Sequence, residues 1–225
     1  MKRILLVAAT DFELAPIQSA LLDKNLSNQL QIDFLSTGIG MVSTALSTTQ
    51  YFCQQRNPSF DLAINIGLAG AFKNTEIENY ALSIGEVVRV VEDQLCELGS
   101  EDGENFIPMN QLFAETEITA TEIIHSSFPS LAKLPRVASI TVNTVHGNEQ
   151  SIQRLLARIQ PQVENMEGAA FFMACAKCSI PSIQLRAISN WVELRNRDNW
   201  NIPLALNNLK NTVLQLLTEI ADDEN

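Results

Sequence analysis

The sequence predicts one α/β domain built on a central mixed β-sheet flanked by helices. Three observations lead there. Short apolar runs, at residues 4–9 and 62–66 for example, are bounded by charged or small residues, as in strands covered on both faces. They alternate with segments whose apolar residues recur at helical spacing. And 46% of the 225 residues are hydrophobic against 18% charged, enough for a sizeable core. No linker, repeat or low-complexity stretch divides the chain, so residues 1–225 are expected to form a single domain.

The first run, residues 4–9, reads as a buried strand. Thr10-Asp11-Phe12-Glu13 then starts a helix with Leu14, Ile17, Leu21 and Leu22 on one side. Glu13 therefore falls just past the carboxyl end of a strand, the edge where open α/β sheets bind ligands. A second strand, 31–36, ends in Gly38-Ile39-Gly40. The next helix is expected to turn Val42, Ala45, Leu46, Thr49 and Cys53 inward. The glycine turn is not a dinucleotide fingerprint, since Ser43 occupies the third glycine position, and no P-loop lysine occurs.

The strand at 61–67 is expected to close in the small-residue turn Gly67-Leu68-Ala69-Gly70. Residues 84–91 alternate like a strand. Residues 92–110 read as an acidic surface excursion, and 111–134 carry no clear pattern. A strand at 136–142 leads into a loop holding Val145 and His146, with Asn148 as N-cap of a helix. The last strand, 181–188, runs into the polar cluster Ser189-Asn190. Pro203 opens a C-terminal helix with Leu209, Val213, Leu216, Leu217 and Ile220 on one face, and a short acidic tail follows at 222–225.

Charge excludes some partners. With 26 acids against 15 bases the net charge is −11, which disfavours nucleic acid and anionic membranes. The apolar run at 4–9 is too short for a signal peptide and no run is long enough to span a bilayer, so a cytoplasmic protein is expected. Its four cysteines are then free thiols. Cys175-Ala176-Lys177-Cys178 has redox or zinc spacing. It lies near a helix end rather than a helix start and has no second pair, so structural thiols are expected. His146 likewise has no neighbouring ligand for a metal.

Three strand-to-helix joins hold the polar residues that matter: Glu13, Met166-Glu167, and Arg186 with Ser189-Asn190. Glu167 opens the small-residue helix that contains Ala169 and Ala170. An acid there is favoured by the unpaired amides of the first turn, so a helix-start role and a site role are both open. Gly168 beside it is a poor helix residue unless something must approach the backbone closely. Two carboxylates and an amide on one sheet edge could break a glycosidic bond. One would activate water while the sugar ring develops positive charge. From the residues alone this is one arrangement among several.

Several motifs occur together in order. They are Glu13, Thr37-Gly38-Ile39-Gly40, Asn65-Ile66-Gly67-Leu68-Ala69-Gly70, Ile84-Gly85-Glu86-Val87-Val88, Asn165-Met166-Glu167-Gly168-Ala169-Ala170 and Arg186-Ala187-Ile188-Ser189-Asn190. In this the chain resembles the purine nucleoside phosphorylase and nucleosidase superfamily over nearly its whole length, residues 92–135 excepted. The resemblance implies that Glu167 holds the ribose hydroxyls, that Met166 packs under the sugar, and that Glu13 orients and deprotonates the attacking water with help from Arg186. It places Gly67 and Ser189 against the substrate, and Val145 and His146 beside the base. It implies a homodimer and no metal or organic cofactor.

Two departures sharpen the expectation. Glu13 would repel an anion, and Leu68 stands where related enzymes carry a hydroxyl, so water rather than phosphate is the expected nucleophile. Asn190 replaces the aspartic acid with which relatives protonate a 6-aminopurine. Its amide suits the O6 and N7 edge of a 6-oxopurine. The segment Ser189-Asn190-Trp191-Val192-Glu193-Leu194-Arg195-Asn196, with Trp200 beyond, resembles the branch whose inosine-like substrate carries a carboxylated aromatic group on its 5′ side. Arg195 or Arg197 would pair with that carboxylate. Cleavage of methylthioadenosine or adenosylhomocysteine, and a non-catalytic nucleoside sensor, are the competing readings.

Overall fold

The computed structural model describes residues 1–22, 29–55, 60–73, 76–77, 80–125 and 128–223. Residues 224 and 225 of the acidic tail lie outside the described residues. The elements run β1 (Lys2–Ala8), α1 (Asp11–Leu22), β2 (Leu30–Ser36), α2 (Met41–Gln54), β3 (Leu62–Ala71), the short β4 (Glu76–Ile77) and β5 (Tyr80–Ala81), then β6 (Val87–Leu95). A hairpin β7 (Gly99–Asp102) and β8 (Asn105–Pro108) leads to α3 (Met109–Leu112), β9 (Thr119–Thr121) and α4 (Pro129–Ala132). The chain ends with β10 (Arg136–Thr141), α5 (Glu149–Leu156), β11 (Val163–Asn165), α6 (Gly168–Lys177), β12 (Ser182–Trp191) and α7 (Ile202–Asp222).

The main sheet has eight strands in the order β11-β10-β6-β12-β3-β1-β2, with β9 beside β6. It is mixed, as predicted: β2, β1, β3 and β12 are parallel, and β6 joins β12 antiparallel. β11 also pairs antiparallel with β3, through Val163 with Ala71 and Glu164 with Gly70. That second pairing curls half of the sheet into a closed ring of β3, β12, β6, β10 and β11. Both faces are covered. In β1, Ile4 and Leu6 join the apolar layer under α1 and α7, while Leu5 and Val7 join the layer with α2 and α6. This is the period-2 alternation of a strand buried on both sides.

Four expectations are corrected. β3 does not stop at Gly67; it continues through Gly67-Leu68-Ala69-Gly70 to Ala71, because β12 and β11 offer pairing partners along its whole length. Residues 92–110 are not a loop but the end of β6 and the hairpin β7–β8. The stretch 111–134 without pattern contains β9 and α4. And α2 buries Thr44, Thr48 and Phe52, leaving Val42 and Leu46 about two-thirds exposed. Small hydroxyl residues let α2 sit close to α6, and Thr44 Oγ1 lies 3.2 Å from Thr37 Oγ1. The more apolar stripe faces out. The C-terminal helix matches expectation, with Leu209, Val213, Leu216, Leu217 and Ile220 buried.

Candidate active site

At the carboxyl ends of β1, β3 and β12 lies a cavity of about 310 Å³. Eight residues predicted from sequence line it: Glu13, Val145, His146, Met166, Glu167, Ser189, Asn190 and Arg195. Gly67 and Arg186 do not. They stand directly behind it.

Glu13 sits in the first turn of α1. Its Oε2 accepts from the backbone N and the Oγ1 of Thr10 at 3.1 and 2.8 Å, the return half of a capping box. Its Oε1 accepts from Leu68 N at 3.3 Å, tying the carboxylate to β3. The helix start thus fixes the side chain without using it up. Burial pushes the Glu13 carboxyl up. The hydrogen bond from Thr10 and the nearby Arg186 guanidinium oppose that rise, and the Glu167 carboxylate adds to it.

Glu167 is the N-cap residue of α6, yet its carboxylate does no capping. Asn165 Oδ1 accepts from the backbone N–H groups of Glu167 and Gly168 at 2.8 and 2.6 Å, and Thr141 Oγ1 accepts from Ala169 N at 2.8 Å. With the helix start satisfied by other residues, the Glu167 carboxylate turns to the cavity. Its Oε1 accepts from Gly40 N at 3.0 Å, and its Oε2 lies 3.6 Å from Arg186 Nη1.

Arg186 is only 2% exposed. Its Nε donates to Gln184 Oε1 at 2.7 Å, and its Nη2 donates to Asn65 Oδ1 at 2.5 Å and to Asn165 Oδ1 at 3.1 Å. Behind these amides lies Asp93, fully buried, accepting from Thr141 Oγ1, Asn165 Nδ2 and Gln184 Nε2 at 2.8, 2.7 and 3.1 Å. Burial holds the Asp93 carboxyl above the usual range. Two glycines make room. A methyl group at Gly67 would fall 2.3 Å from Arg186 Nη1 and 3.1 Å from Glu13 Oε1. At Gly168 it would fall 2.2 Å from Asp93 Oδ2. Gly67 thus admits the arginine, and it is not among the residues that line the cavity.

At the far side of the cavity β12 carries a bulge between Ile188 and Asn190. The extra residue re-aims the strand end. Ser189 Oγ donates to Asn190 Oδ1 at 2.7 Å, and Asn190 Nδ2 donates to Trp191 O at 2.9 Å. One amide hydrogen and one oxygen lone pair remain for a ligand. His146, which also lines the cavity, is bound to Glu164 twice: its backbone N donates to Oε1 at 3.0 Å, and Nδ1 lies 2.7 Å from Oε2. At the open end stand Trp191, Trp200 and Arg195, with the Arg195 guanidinium 5.6 Å from the Trp200 ring centre. Arg195 lines the cavity and Arg197 does not, though the Arg197 guanidinium lies 5.8 Å from the same Trp200 ring centre.

Sequence reasoning missed Asn65, Asp93, Glu164 and Gln184. Asn65 and Gln184 lie inside apolar strands, where a buried polar group needs a partner; Asp93 and Glu164 sit among other polar residues and give no such signal. Among the described residues no group of three His, Cys, Asp or Glu is placed to hold a metal. Cys175 is buried, and Cys178 caps the end of α6, away from the cavity.

A closed ring of mixed strands, two carboxylates beside a buried arginine, and an amide facing them define a nucleoside-cleaving class of site. The chain belongs to the Phosphorylase superfamily, whose family model matches residues 30–219, and within it to the futalosine hydrolase family. It is 31% identical to the futalosine hydrolase of Thermus thermophilus over 196 residues, 83% of this chain and 81% of that one. It is 26% identical to that of Streptomyces coelicolor over 82% of this chain and 77% of that one. Among solved structures it is similar to the futalosine hydrolase of Helicobacter pylori (TM-score 0.74, 17% identity, 97% of this chain and 98% of that one). It is similar in fold to the methylthioadenosine/adenosylhomocysteine nucleosidase of Helicobacter pylori (TM-score 0.73, 16% identity, 97% of this chain and 99% of that one).

Proposed function

We propose that this protein hydrolyses the N-glycosidic bond of futalosine and releases hypoxanthine, a step on the futalosine route to menaquinone. The observation that carries the reading is Asn190 in the cavity wall beside Glu13 and Glu167. An amide there has a donor for O6 of an oxopurine and an acceptor for a proton on N7. Glu167 holds the ribose hydroxyls and Met166 packs under the sugar. Glu13, raised by burial and tethered at both oxygens, takes the proton of the attacking water. Arg186 acts through Glu167 rather than on the substrate. Arg195 receives the carboxylate of the 5′ group, and Trp191 and Trp200 supply its apolar walls.

The protein acts in the cytoplasm as a homodimer. The outward stripe of α2 supports the second point: Val42 and Leu46 are exposed together with Phe12 and Ile39, and the last two rim the cavity mouth. A second subunit laid on this patch would bury apolar area and close the 5′ end of the site.

One experiment tests the reaction. The protein is incubated with futalosine, inosine and methylthioadenosine, and base release is followed by chromatography. Hypoxanthine from futalosine, faster than from inosine, is the expected result. Adenine as the sole product would move the reading to a methylthioadenosine nucleosidase, and no base from any substrate would leave a binding protein. Ribose 1-phosphate formed on adding phosphate would replace hydrolysis by phosphorolysis.

A further inference from the structure

In the reaction above, Asn190 leaves one requirement unmet. The purine departs easily only if a ring nitrogen gains a proton, and an amide can hold such a proton in a hydrogen bond but cannot supply it. The cavity contains one other titratable pair, and its placement is set by the sheet. Gly70 of β3 is the register partner of Glu164 in β11 and of Asn190 in β12. Glu164 and Asn190 therefore flank one glycine on neighbouring strands. A methyl group at Gly70 would lie 3.2 Å from Asn190 Nδ2 and 3.6 Å from Glu164 Cγ, so the missing side chain leaves space between the two. Glu164 is 4% exposed, and both of its oxygens are engaged by His146. With Nδ1 facing Glu164, Nε2 is the nitrogen left for a ligand, and His146 lines the cavity.

We propose that His146, oriented by Glu164, is the acid that protonates the departing purine. This role rests on the function proposed above. The C1′–N9 bond breaks with its electron pair going to the base, and the His146 proton passes from Nε2 to N7. Asn190 then accepts the N7–H and donates to O6. Water adds its oxygen to C1′ and gives its proton to Glu13. Return of that proton to His146 through solvent resets the site, so the reaction consumes only water. Carboxylate, imidazole and base form the orienting chain that fixes which ring nitrogen carries the mobile proton.

The surroundings suit a charged imidazole. Glu164 on β11 and Glu97 beyond β6 face it with negative charge. Arg158 beyond α5 opposes them, and the Arg195 backbone N donates to Gly147 O next door at 3.2 Å. The hydrogen bond to Glu164 holds the His146 ring above the ordinary histidine range, against partial burial.

The test begins with wild-type turnover of futalosine across pH. Activity is expected to fall on the alkaline side as His146 loses its proton. His146→Gln is expected to lower kcat on futalosine about 10²–10³-fold with KM changed by less than about threefold, and to abolish the alkaline limb. Glu164→Gln, which keeps the imidazole, is expected to move that limb to lower pH. Since the chain has two histidines, NMR titration of the unaltered protein assigns the pKa directly, and added hypoxanthine is expected to shift the His146 signal and not that of His125. An inactive wild type would overturn the proposed function and this role with it. An active wild type whose alkaline limb is unmoved in both variants, or a His146 signal that ignores hypoxanthine, would overturn this role alone and leave His146 as a partner that merely satisfies Glu164.

Discussion

Arg186 Nη1 stands 3.6 Å from Glu167 Oε2, beyond hydrogen-bond length, while Nε and Nη2 are committed to the amide oxygens of Gln184, Asn65 and Asn165. Neutral amides steer the guanidinium, and the Glu167 carboxylate keeps capacity for two sugar hydroxyls. Lysine has the charge but not the planar fork. Arg186→Lys is expected to lower kcat/KM about 100-fold and to lower stability by about 1–3 kcal/mol through unpaired amides, read by kinetics and thermal melting.

The two glycines behind the site make separable predictions. Gly67→Ala would press on Arg186 and Glu13, so activity is expected to drop more than tenfold with a modest change in melting temperature. Gly168→Ala would strike Asp93 and Gln184 within the buried network. It is expected to cost about 1–3 kcal/mol of stability, measured by denaturant unfolding.

Glu13 must be ionised to accept a proton from water. Its carboxyl is raised by burial, so activity is expected to be full above that raised value and to be lost as pH falls through it, at a higher pH than an ordinary carboxylate would give. Glu13→Gln keeps the acceptor that binds Thr10 N, so the fold should survive. The kcat is expected to fall about 10²–10⁴-fold and the acid limb to vanish from the pH profile.

Base choice should follow position 190. Asn190→Asp puts a titratable donor at the position where the proposed function places O6. The ratio of adenine released from methylthioadenosine to hypoxanthine released from futalosine is expected to rise at least tenfold in competition assays.

The apolar patch on α2 predicts the assembly state. Val42→Glu and Leu46→Glu, placed on exposed positions, should leave a single chain's stability within about 0.5 kcal/mol. Light scattering after size exclusion is expected to show a dimer for the parent and monomers for the variants, with a raised KM for futalosine.

Much of this was legible in the sequence because strand ends announce themselves. Glu13 and Asn190 follow apolar runs, Glu167 follows the short strand β11, and the cavity gathers all three. Helix faces were less legible. The stripe of α2 was assigned inward on hydrophobicity, and threonines took the inner side because close packing on α6 favours small residues there. The buried network was hidden for another reason. Asp93 and Gln184 lie 91 residues apart, and no local pattern says that two polar residues so far apart will meet. The β12 bulge is likewise a property of pairing, visible only once β3 supplies the register.

The ring closure of β11 on β3 has a consequence for how such a protein can change its substrate. Between Val163 and Gly168 every position is engaged, whether in pairing with β3, binding His146, satisfying the α6 start, lining the cavity or leaving room for Asp93. That segment has no spare residue to vary. The stretch from Trp191 to Ile202 reaches the cavity through six of its residues and includes exposed positions between them. If the proposed function holds, a different 5′ group can be met by changing this one stretch while the segment from Val163 to Gly168 stays as it is. On that reading, choice of the 5′ group and cleavage of the bond rest on different parts of the chain, whereas choice of the base, at Asn190, stays within the cleavage site.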